Sequence, residues 1–339
     1  MMFTAVQMIG TQRSGSNLLR LMLNQLPDVS APHPPHIIER FMPLLPLYED
    51  LNQVENFHRL AGDVCELIYC NPVAWTGIEL NANTLIHQCN EHSLTELARV
   101  VYEVKAKHDD ARIWICKSMS NIHYIHELEA SLQPLYIFLY RDGRDVACSF
   151  KKAVVGEKHT YFIAKQWKEE QEKCLALQKH LQGTRFVSVC YEELIANPEK
   201  ELRKICAFLG TEYRDFCLQY YRSDEAMNTA SSGAMWQNVT HDIIAGNRNK
   251  YLSQLSAEDL VLFERIAGNT LQKLGYPVYH NHSEISQSFS SGEIQAYATT
   301  NTQLKFEAKT KHTPEDAARR KKQDDLLSGL QKKLTNYNH

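Results

Sequence analysis

The sequence has no strong excess of charge of either sign. Its 339 residues carry 37 Lys and Arg against 40 Asp and Glu, a formal net charge of −3 at pH 7. This balance excludes a general attraction to nucleic acid or to an anionic membrane, so any anion-binding role must be local. No apolar run reaches the ~20 residues that span a bilayer, and the first ten residues, MMFTAVQMIG, show neither a basic segment nor a cleavage site. We therefore expect a cytoplasmic protein with no transmembrane segment and no nucleic-acid partner.

Paired cysteine motifs are also absent. Nine cysteines are scattered at irregular spacing, with no C-x-x-C pair and no histidine-rich segment beside them. An odd number at such spacing argues against a disulfide framework and against a zinc site. We expect free thiols in a reducing compartment and no bound metal, with Cys116, Cys148 and Cys190 as small core residues.

Four short and nearly continuous apolar runs are predicted to be strands: 3–9, 112–116, 135–140 and 186–190. Strands of a parallel sheet are buried on both faces and show this pattern. Segments with helical spacing alternate with them: 17–26, 94–107, 122–131 and 161–181. The alternation predicts a doubly wound α/β fold, with a mostly parallel central sheet flanked by helices.

The composition changes near the carboxyl end. The α/β pattern ends by residue 280, and residues 281–312 are rich in Ser, Thr, Asn, Gln and His with few apolar side chains. We expect this stretch to be a flexible polar tail. Residues 313–335 begin with a capping signature, Thr313 with Asp316, and continue with mixed charge and a thin apolar stripe. A surface helix is predicted there.

A glycine loop at 10–17, GTQRSGSN, separates the first predicted strand from the first predicted helix. Gly10 and Gly15 have the spacing of a G-x-x-x-x-G-K-[ST] nucleotide loop. Ser16 replaces the lysine that binds phosphates, however, and Asn17 replaces the hydroxyl residue that binds magnesium. Backbone N–H groups at a helix N-terminus still favour an anion. The loop is therefore predicted to hold a phosphate group without a metal.

In a doubly wound sheet, ligands bind at the carboxyl ends of the strands. Lys117 and Arg141 each follow a predicted strand directly, and Ser149 lies in the segment after Arg141. Eight residues are about two helical turns, so an arginine and a hydroxyl at this spacing are suited to hold a phosphate from two sides. The alternative is an ion pair of Arg141 with Asp142 or Asp145.

Three motifs follow one another in the chain. They are the metal-free glycine loop, R-x-x-x-D-V-A-x-S from Arg141, and Y-E-E-L-x-x-N-P-x-x-E-L-R-K-I-x-x-F-L-G from Tyr191. Together they resemble the sulfotransferases that use 3'-phosphoadenosine 5'-phosphosulfate (PAPS). The resemblance implies a P-loop NTPase-like sulfotransferase fold, with residues 1–280 as the sulfotransferase domain.

The resemblance also implies how the donor is held. Arg141 and Ser149 would bind the 3'-phosphate, and Tyr191 would contact the adenine unless it only packs at the strand end. The basic R-K-G loop of animal members is absent, so Arg248 or another residue must complete the 3'-phosphate site; Arg248 lies in 228–249, which is predicted to be a long loop. The 5'-phosphosulfate would lie on the glycine loop, at Thr11, Gln12, Arg13, Ser14, Gly15, Ser16 and Asn17.

Sulfuryl transfer to a hydroxyl or amine requires a base, positive charge on the transferred group and stabilisation of the leaving phosphate. By the resemblance, Arg13 and Lys117 supply the charge in an in-line displacement without a metal. The base is expected after the first helix, where many members have P-D-V-x-x-x-E and this chain has His33 in place of the glutamate. A histidine with a pKa near ~6.5 is a competent base. His36 and Glu39 are the alternatives.

Two other functions stay open. A catalytically silent protein that binds PAPS or 3'-phosphoadenosine 5'-phosphate (PAP) would carry the same motifs. An NTP-dependent kinase of small molecules is disfavoured, because Ser16 and Asn17 stand where its loop needs Lys and Ser or Thr. The acceptor is open among small molecules, sugars, lipids and tyrosyl groups, since one fold serves them all. The oligomeric state is open as well.

Overall fold

The computed structural model describes residues 2–280, 288–310 and 313–337. Its central sheet is parallel, and its strands lie in the order β2-β3-β1-β4-β5. Val6 at the centre of the sheet is in register with Ile115 on one side and Leu135 on the other. The strands are β1 (Thr4–Ile9), β2 (Val29–Ser30), β3 (Ile113–Cys116), β4 (Leu135–Tyr140) and β5 (Phe186–Cys190).

Helices cover both faces of this sheet. The α-helices are α1 (Ser16–Leu23), α2 (Ile37–Phe41), α3 (Val54–Tyr69), α4 (Ala82–Ile86), α5 (Leu94–His108), α6 (Ile125–Ser131), α7 (Gly143–Lys152), α8 (Thr160–His180), α9 (Tyr191–Ala196), α10 (Pro198–Leu209), α11 (Asp224–Ser231), α12 (Tyr251–Gln254), α13 (Ala257–Lys273), α14 (Ser291–Lys309) and α15 (Pro314–Tyr337). Four 3-10 helices lie at Met42–Tyr48, Met119–Tyr124, Asp215–Arg222 and Ala234–Thr240.

The strands bury side chains on both faces. Trp114 and Cys116 of β3 belong to a core shared with α3 and α5, whereas Ile113 and Ile115 belong to a second core shared with α1 and α10. This alternation is the period of two that a strand imposes. The doubly wound parallel fold and its four predicted strands are confirmed. Strand β2 was not predicted, because two residues are too few to show a pattern.

Two expectations for the second half of the chain are wrong in part. The segment 228–249 contains the end of α11 and the 3-10 helix Ala234–Thr240 instead of one long loop. Within the predicted flexible tail, α14 forms a helix that begins with a capping box between Ser290 and Glu293. Residues 281–287 and 311–312 of that predicted tail lie outside the described residues.

Both C-terminal helices are anchored to the α/β core. In α14, the buried Asn301 side chain accepts hydrogen bonds from the backbone N–H groups of Lys158 (2.9 Å) and His159 (3.0 Å). Helix α15 occupies the segment predicted to be a surface helix. Its Gln323 donates to the carbonyl of Leu67 at 3.4 Å, and Leu330 is buried in the core that contains α3 and α5.

All nine cysteines carry free thiols. Cys116 and Cys148 are buried, as predicted, and Cys190 is half-buried. Across residues 2–280, 288–310 and 313–337, no helix is both long enough and apolar enough to cross a membrane.

Candidate active site

The glycine loop turns sharply between β1 and α1, and both of its glycines are needed. Gly10 has φ +131°, and a Cβ there would lie 2.4 Å from the carbonyl oxygen of Leu139 in β4. Gly15 has φ +91°, and a Cβ there would lie 2.3 Å from the ring of Tyr191. These contacts are far inside van der Waals distance, and glycine adopts such φ values without strain. The loop therefore packs directly on the end of β4 and on the start of α9.

A cleft of about 530 Å³ opens beside this loop, at the carboxyl ends of β1, β4 and β5. It has the position expected for a ligand in a doubly wound sheet. Four cationic side chains and two carboxylates are found among the described residues that line it: Arg13, Arg141, Lys152, Lys250, Asp145 and Asp242. Tyr191, Tyr220 and Trp236 add aromatic rings, and Ser16, Asn17, Ser149 and Asn247 add polar groups. The lining suits an aromatic base joined to anionic groups.

Arg141 is held in place by carbonyl groups and an aromatic ring. Its guanidinium donates to the carbonyl oxygens of Asn247 (2.7 Å) and Arg13 (3.3 Å) and lies 4.4 Å from the centre of the Tyr191 ring. Asp145 approaches it at 3.6 Å, longer than a hydrogen bond. The other proposed partner, Asp142, pairs with Arg144 at 2.7 Å instead. Arg141 thus presents its charge to the cleft with a loose carboxylate contact.

Arg13 links the glycine loop to α7. Its Nε donates to Oγ of Ser149 at 3.1 Å, so the two predicted anion-binding residues lie side by side. Burial and the neighbouring charge of Arg141 lower the pKa of Arg13. Among the described residues, no carboxylate forms an ion pair with Arg13. Two guanidinium groups and a hydroxyl therefore converge where the sequence predicted a phosphate.

Lys117 lies behind the first turn of α1. It follows β3 directly, is 8% exposed, and donates from Nζ to Oδ1 of Asn17 at 3.0 Å. Burial, together with the charges of Arg20 and Arg13, lowers the pKa of Lys117 to about 7. A group of this kind is poised between its two protonation states near neutral pH. Through Asn17 it contacts the glycine loop.

His33 lies in the loop after α1 and is 5% exposed. Its ring packs edge-on against Trp236, with centroids 5.0 Å apart and planes at 71°. Its Nδ1 is buried without a hydrogen-bond partner, and its backbone carbonyl accepts a 2.7 Å bond from the indole of Trp75. Burial, followed by the charges of Lys117 and Arg20, lowers the pKa of His33 well below 6.5. The imidazole is therefore neutral at physiological pH, and the same burial and charges disfavour its protonated form.

The two alternative bases form a pair with each other. Nδ1 of His36 lies 3.1 Å from Oε2 of Glu39. Burial acts to raise the pKa of Glu39, but the hydrogen bond and charge of His36 and the charge of Arg40 outweigh it, and the pKa is lowered. Both residues carry some solvent exposure in their side chains, 20% for His36 and 32% for Glu39. A carboxylate held in an ion pair is a weaker base than a free one.

Four of the residues predicted to bind the donor are not among the described residues that line the cleft. Three of them, Thr11, Gln12 and Ser14, belong to the glycine loop. Thr11 accepts a hydrogen bond from Gln171 at 2.8 Å, and Gln12 donates one to Ser120 at 3.5 Å. Arg248 is exposed and is not among the described lining residues.

Several lining residues had no part in the sequence-based site. Lys152 lies one helical turn after Ser149 on α7. Because residues one turn apart lie on the same face of a helix, the prediction of Ser149 could have indicated Lys152 as well. Lys250 lies two positions after Arg248 and lines the cleft. Nothing in the local sequence singles out Trp236. In the part of the chain that the structure describes, no group of three or more His, Cys, Asp or Glu side chains is arranged as a metal site.

Comparison with known proteins gives consistent results. The family model described as "Sulfotransferase family" matches residues 6–215. A protein-tyrosine sulfotransferase of Drosophila melanogaster is 24% identical over 220 residues, which are 62% of this chain and 39% of that protein. The chain thus matches about two fifths of the length of this curated relative.

Two solved structures share the fold. The sulfotransferase domain of the Synechococcus PCC 7002 olefin synthase is 22% identical, covering 78% of this chain and 94% of that one, with a TM-score of 0.52. The sulfotransferase domain from the curacin biosynthetic pathway is 21% identical, covering 82% and 99%, with a TM-score of 0.56. The family match spans more than half of the chain and contains the glycine loop, Lys117, Arg141 and Tyr191. The chain belongs to the sulfotransferase family.

Proposed function

We propose that this protein is a sulfotransferase that takes its sulfuryl group from PAPS and transfers it to a hydroxyl or amine by in-line, metal-independent displacement. One observation carries the proposal: Arg141, Arg13 and Lys117 form a row of neighbouring cations. After burial, the charge of Arg141 lowers the pKa of Arg13, and the charges of Arg20 and Arg13 lower that of Lys117. Such a row is unfavourable until an anion compensates it. A donor with a phosphate at each end of an adenosine would do so.

The donor would lie along the cleft beside the glycine loop. Its 5'-phosphosulfate would be held by the loop amides, Arg13 and Lys117, near the N-terminus of α1. Its 3'-phosphate would be held by Arg141 and Ser149, with Lys250 as the candidate in place of Arg248. The aromatic rings of the lining offer stacking surfaces for the adenine.

The proposed reaction needs one proton acceptor and one well-stabilised leaving group. His33 takes the proton of the acceptor hydroxyl or amine while the acceptor atom forms a bond to sulfur. The bond between sulfur and the bridging oxygen of the 5'-phosphate breaks, and PAP leaves with that electron pair. Arg13 and Lys117 stabilise the charge that develops on the phosphate. No oxidation or reduction takes place.

Binding of PAP tests the donor site first. In titration calorimetry we expect PAP to bind and adenosine 5'-phosphate, which lacks the 3'-phosphate, to bind at least 10-fold more weakly, because the charged contacts at Arg141 are lost. Equal affinity for the two nucleotides would contradict the assignment of the 3'-phosphate site. Binding of neither nucleotide would exclude both the sulfotransferase and the silent PAP-binding protein.

Transfer is tested with ³⁵S-labelled PAPS and a cell extract as the source of acceptors. A labelled product shows transfer, whereas PAP binding without any product favours the catalytically silent protein. Magnesium-dependent turnover of ATP under the same conditions would instead favour the kinase. Tyrosyl peptides belong in the acceptor panel because the curated relative is a protein-tyrosine sulfotransferase, together with sugars, lipids and small alcohols. The free thiols support a reducing compartment, and we propose the cytoplasm.

The base is tested by substitution. His33→Ala is expected to leave PAP affinity unchanged and to lower turnover roughly 10²-fold or more, because general base catalysis is lost. Glu39→Gln serves as the matched comparison, since it removes the charge of the alternative base. Full activity of the His33 variant together with an inactive Glu39 variant would assign the base to Glu39.

A further inference from the structure

Helix α15 lies beyond the family match at residues 6–215, yet it reaches the site. Its second half is fixed to the core by Leu330, and Gln323, near its middle, donates to the carbonyl of Leu67. Its first half lies against the end of α11, where Arg319 donates to the carbonyl of Ser231. Anchors on both halves hold the helix in one place across the acceptor side.

A chain of three side chains connects α15 to the proposed base. The guanidinium of Arg320 lies 5.3 Å from the centre of the Trp236 ring, within the range of a cation–π contact. Trp236 in turn packs edge-on against His33 at 5.0 Å. The same indole lines the donor cleft. Trp236 therefore stands between donor and base, and Arg320 covers its outer side.

The charges around His33 come from four parts of the chain. They belong to Lys117 after β3, Arg20 on α1, His36 before α2 and Arg320 on α15, and each acts with burial to keep the imidazole neutral. Arg320 also lies near Arg40, whose pKa is lowered by burial although Glu39 and Asp324 oppose this. The influence of α15 on His33 is thus both steric, through Trp236, and electrostatic.

We propose that the C-terminal helix is part of the active site and that Arg320 is a positioning residue, which holds Trp236 against His33 and keeps water from the base. The inference rests on the proposed function, in which His33 accepts the proton. A buried and neutral imidazole is ready to take the acceptor proton, whereas a solvated one would exchange protons with water. In this proposal, α15 shields the base from water, whereas the donor is held by other parts of the chain.

The proposal is tested by titrating His33 in the full-length protein with PAP bound, using NMR of labelled histidine. Arg320→Gln removes the charge, so the pKa of His33 is expected to rise by about half a unit or more. Arg320→Lys keeps the charge and is expected to keep most of the wild-type value. Trp236→Leu removes the ring that covers His33, so its pKa is expected to rise further towards the ordinary value. Lys321→Gln, on the exposed side of the same helix, is the control and is expected to change nothing.

The second measurement is the rate of ³⁵S-sulfate release from PAPS, with water as the acceptor. Arg320→Gln and Trp236→Leu are expected to raise this hydrolysis several-fold over wild type, because water reaches the site. Arg320→Gln is also expected to keep PAP affinity within about twofold, since Arg320 does not line the donor cleft among the described residues. An unchanged His33 pKa and an unchanged hydrolysis rate in both variants would overturn the proposal. If wild type binds no PAP, the proposed function fails instead, so the two failures are distinguishable. Should Arg320→Gln fail to fold, Arg320→Met, which keeps the apolar stem, replaces it.

Discussion

Gly15 lies so close to Tyr191 that no larger residue fits between the glycine loop and α9. A Cβ would lie 2.3 Å from the ring, at a φ of +91° that other residues rarely adopt. We expect Gly15→Ala to lower the free energy of unfolding by about 1–3 kcal/mol and to weaken PAP binding at least 10-fold, because the ring and the loop must move apart. Chemical denaturation and calorimetry measure the two effects.

Gly62→Ala is the matched control for this substitution. Gly62 lies within α3, and a Cβ there would have no atom within 4 Å. Alanine favours a helix over glycine, so this variant is expected to be as stable as wild type or slightly more so. Normal PAP binding by the Gly15 variant would show that the loop does not need its close contact with Tyr191.

We expect Lys117 to couple donor binding to the uptake of a proton by its amine. Burial is the main cause that brings its pKa from 10.5 to about 7, so the free protein holds the amine largely neutral at pH 8. Donor phosphates would favour the ammonium form and raise the pKa again. Binding of PAP must then take up protons at pH 8, and affinity must fall as the pH rises above 7.

Calorimetry of PAP binding in two buffers with different ionisation enthalpies measures this proton uptake. Lys117→Met is expected to abolish most of it and to flatten the pH dependence of affinity. Lys321→Met removes a lysine whose side chain is 70% exposed and is expected to bind PAP with the wild-type uptake. Uptake that persists in the Lys117 variant would assign the proton to another group of the site.

At the scale of secondary-structure elements, the pattern of apolar residues in the sequence predicted the strands that are buried on both faces. Strands β1, β3, β4 and β5 were found because each is a nearly continuous apolar run, which the two-sided burial of a parallel strand produces. Helix α14 was missed because its sequence has few apolar residues; polar contacts of Asn301 and aromatic packing of Tyr297 on His159 hold it instead. Its capping box, Ser290 with Glu293, was the local signal that could have indicated it.

Asn301 of α14 forms hydrogen bonds with the loop between α7 and α8. Its side chain accepts from the N–H groups of Lys158 and His159 and donates to Glu157. Asn301→Ala leaves these N–H groups without their side-chain acceptor. We expect the free energy of unfolding to fall by about 1–3 kcal/mol. Faster hydrogen exchange at Lys158 and His159 should accompany the loss. Thr302→Ala, whose hydroxyl bonds within its own helix, is the control and should cost much less.

On the scale of the whole molecule, the site is built from chain segments that are far apart in sequence. Arg13, Lys117 and Arg141 could be predicted because each follows a strand, and parallel strands bring their carboxyl ends to one edge. Trp236, Lys250 and Arg320 could not, since they come from segments after residue 215 whose packing is decided by tertiary contacts. The proposed donor side of the site is therefore determined by the sheet, whereas the residues that would cover it depend on the packing of later segments.

Arg144 joins α7, which carries the proposed phosphate ligand Ser149, to α13 in the interior. It is fully buried, pairs with Asp142 (2.7 Å) and Glu264 (2.6 Å), and lies 4.1 Å from the ring centre of Tyr251. Glu264 also accepts from the N–H of Tyr279, so the pair connects three parts of the chain. Arg144→Met takes the guanidinium away from two buried carboxylates, and the expected loss is about 3–5 kcal/mol in the free energy of unfolding at pH 8.

The pH dependence of that loss distinguishes charge from packing. In the variant, both buried carboxylates lose the guanidinium and Glu264 keeps the His280 imidazole at 2.8 Å, so burial is expected to favour the protonated form of each carboxyl. Groups with a raised pKa stabilise the fold at low pH and lose that contribution as the pH rises, so Arg144→Met should cost less at pH 5 than at pH 8. Arg203→Met, which breaks the exposed pair with Glu199, is the control and should cost far less than Arg144→Met at either pH. Urea denaturation at the two pH values measures this, and an equal loss at both would show that packing around Arg144, and not its charge, holds α7 to α13.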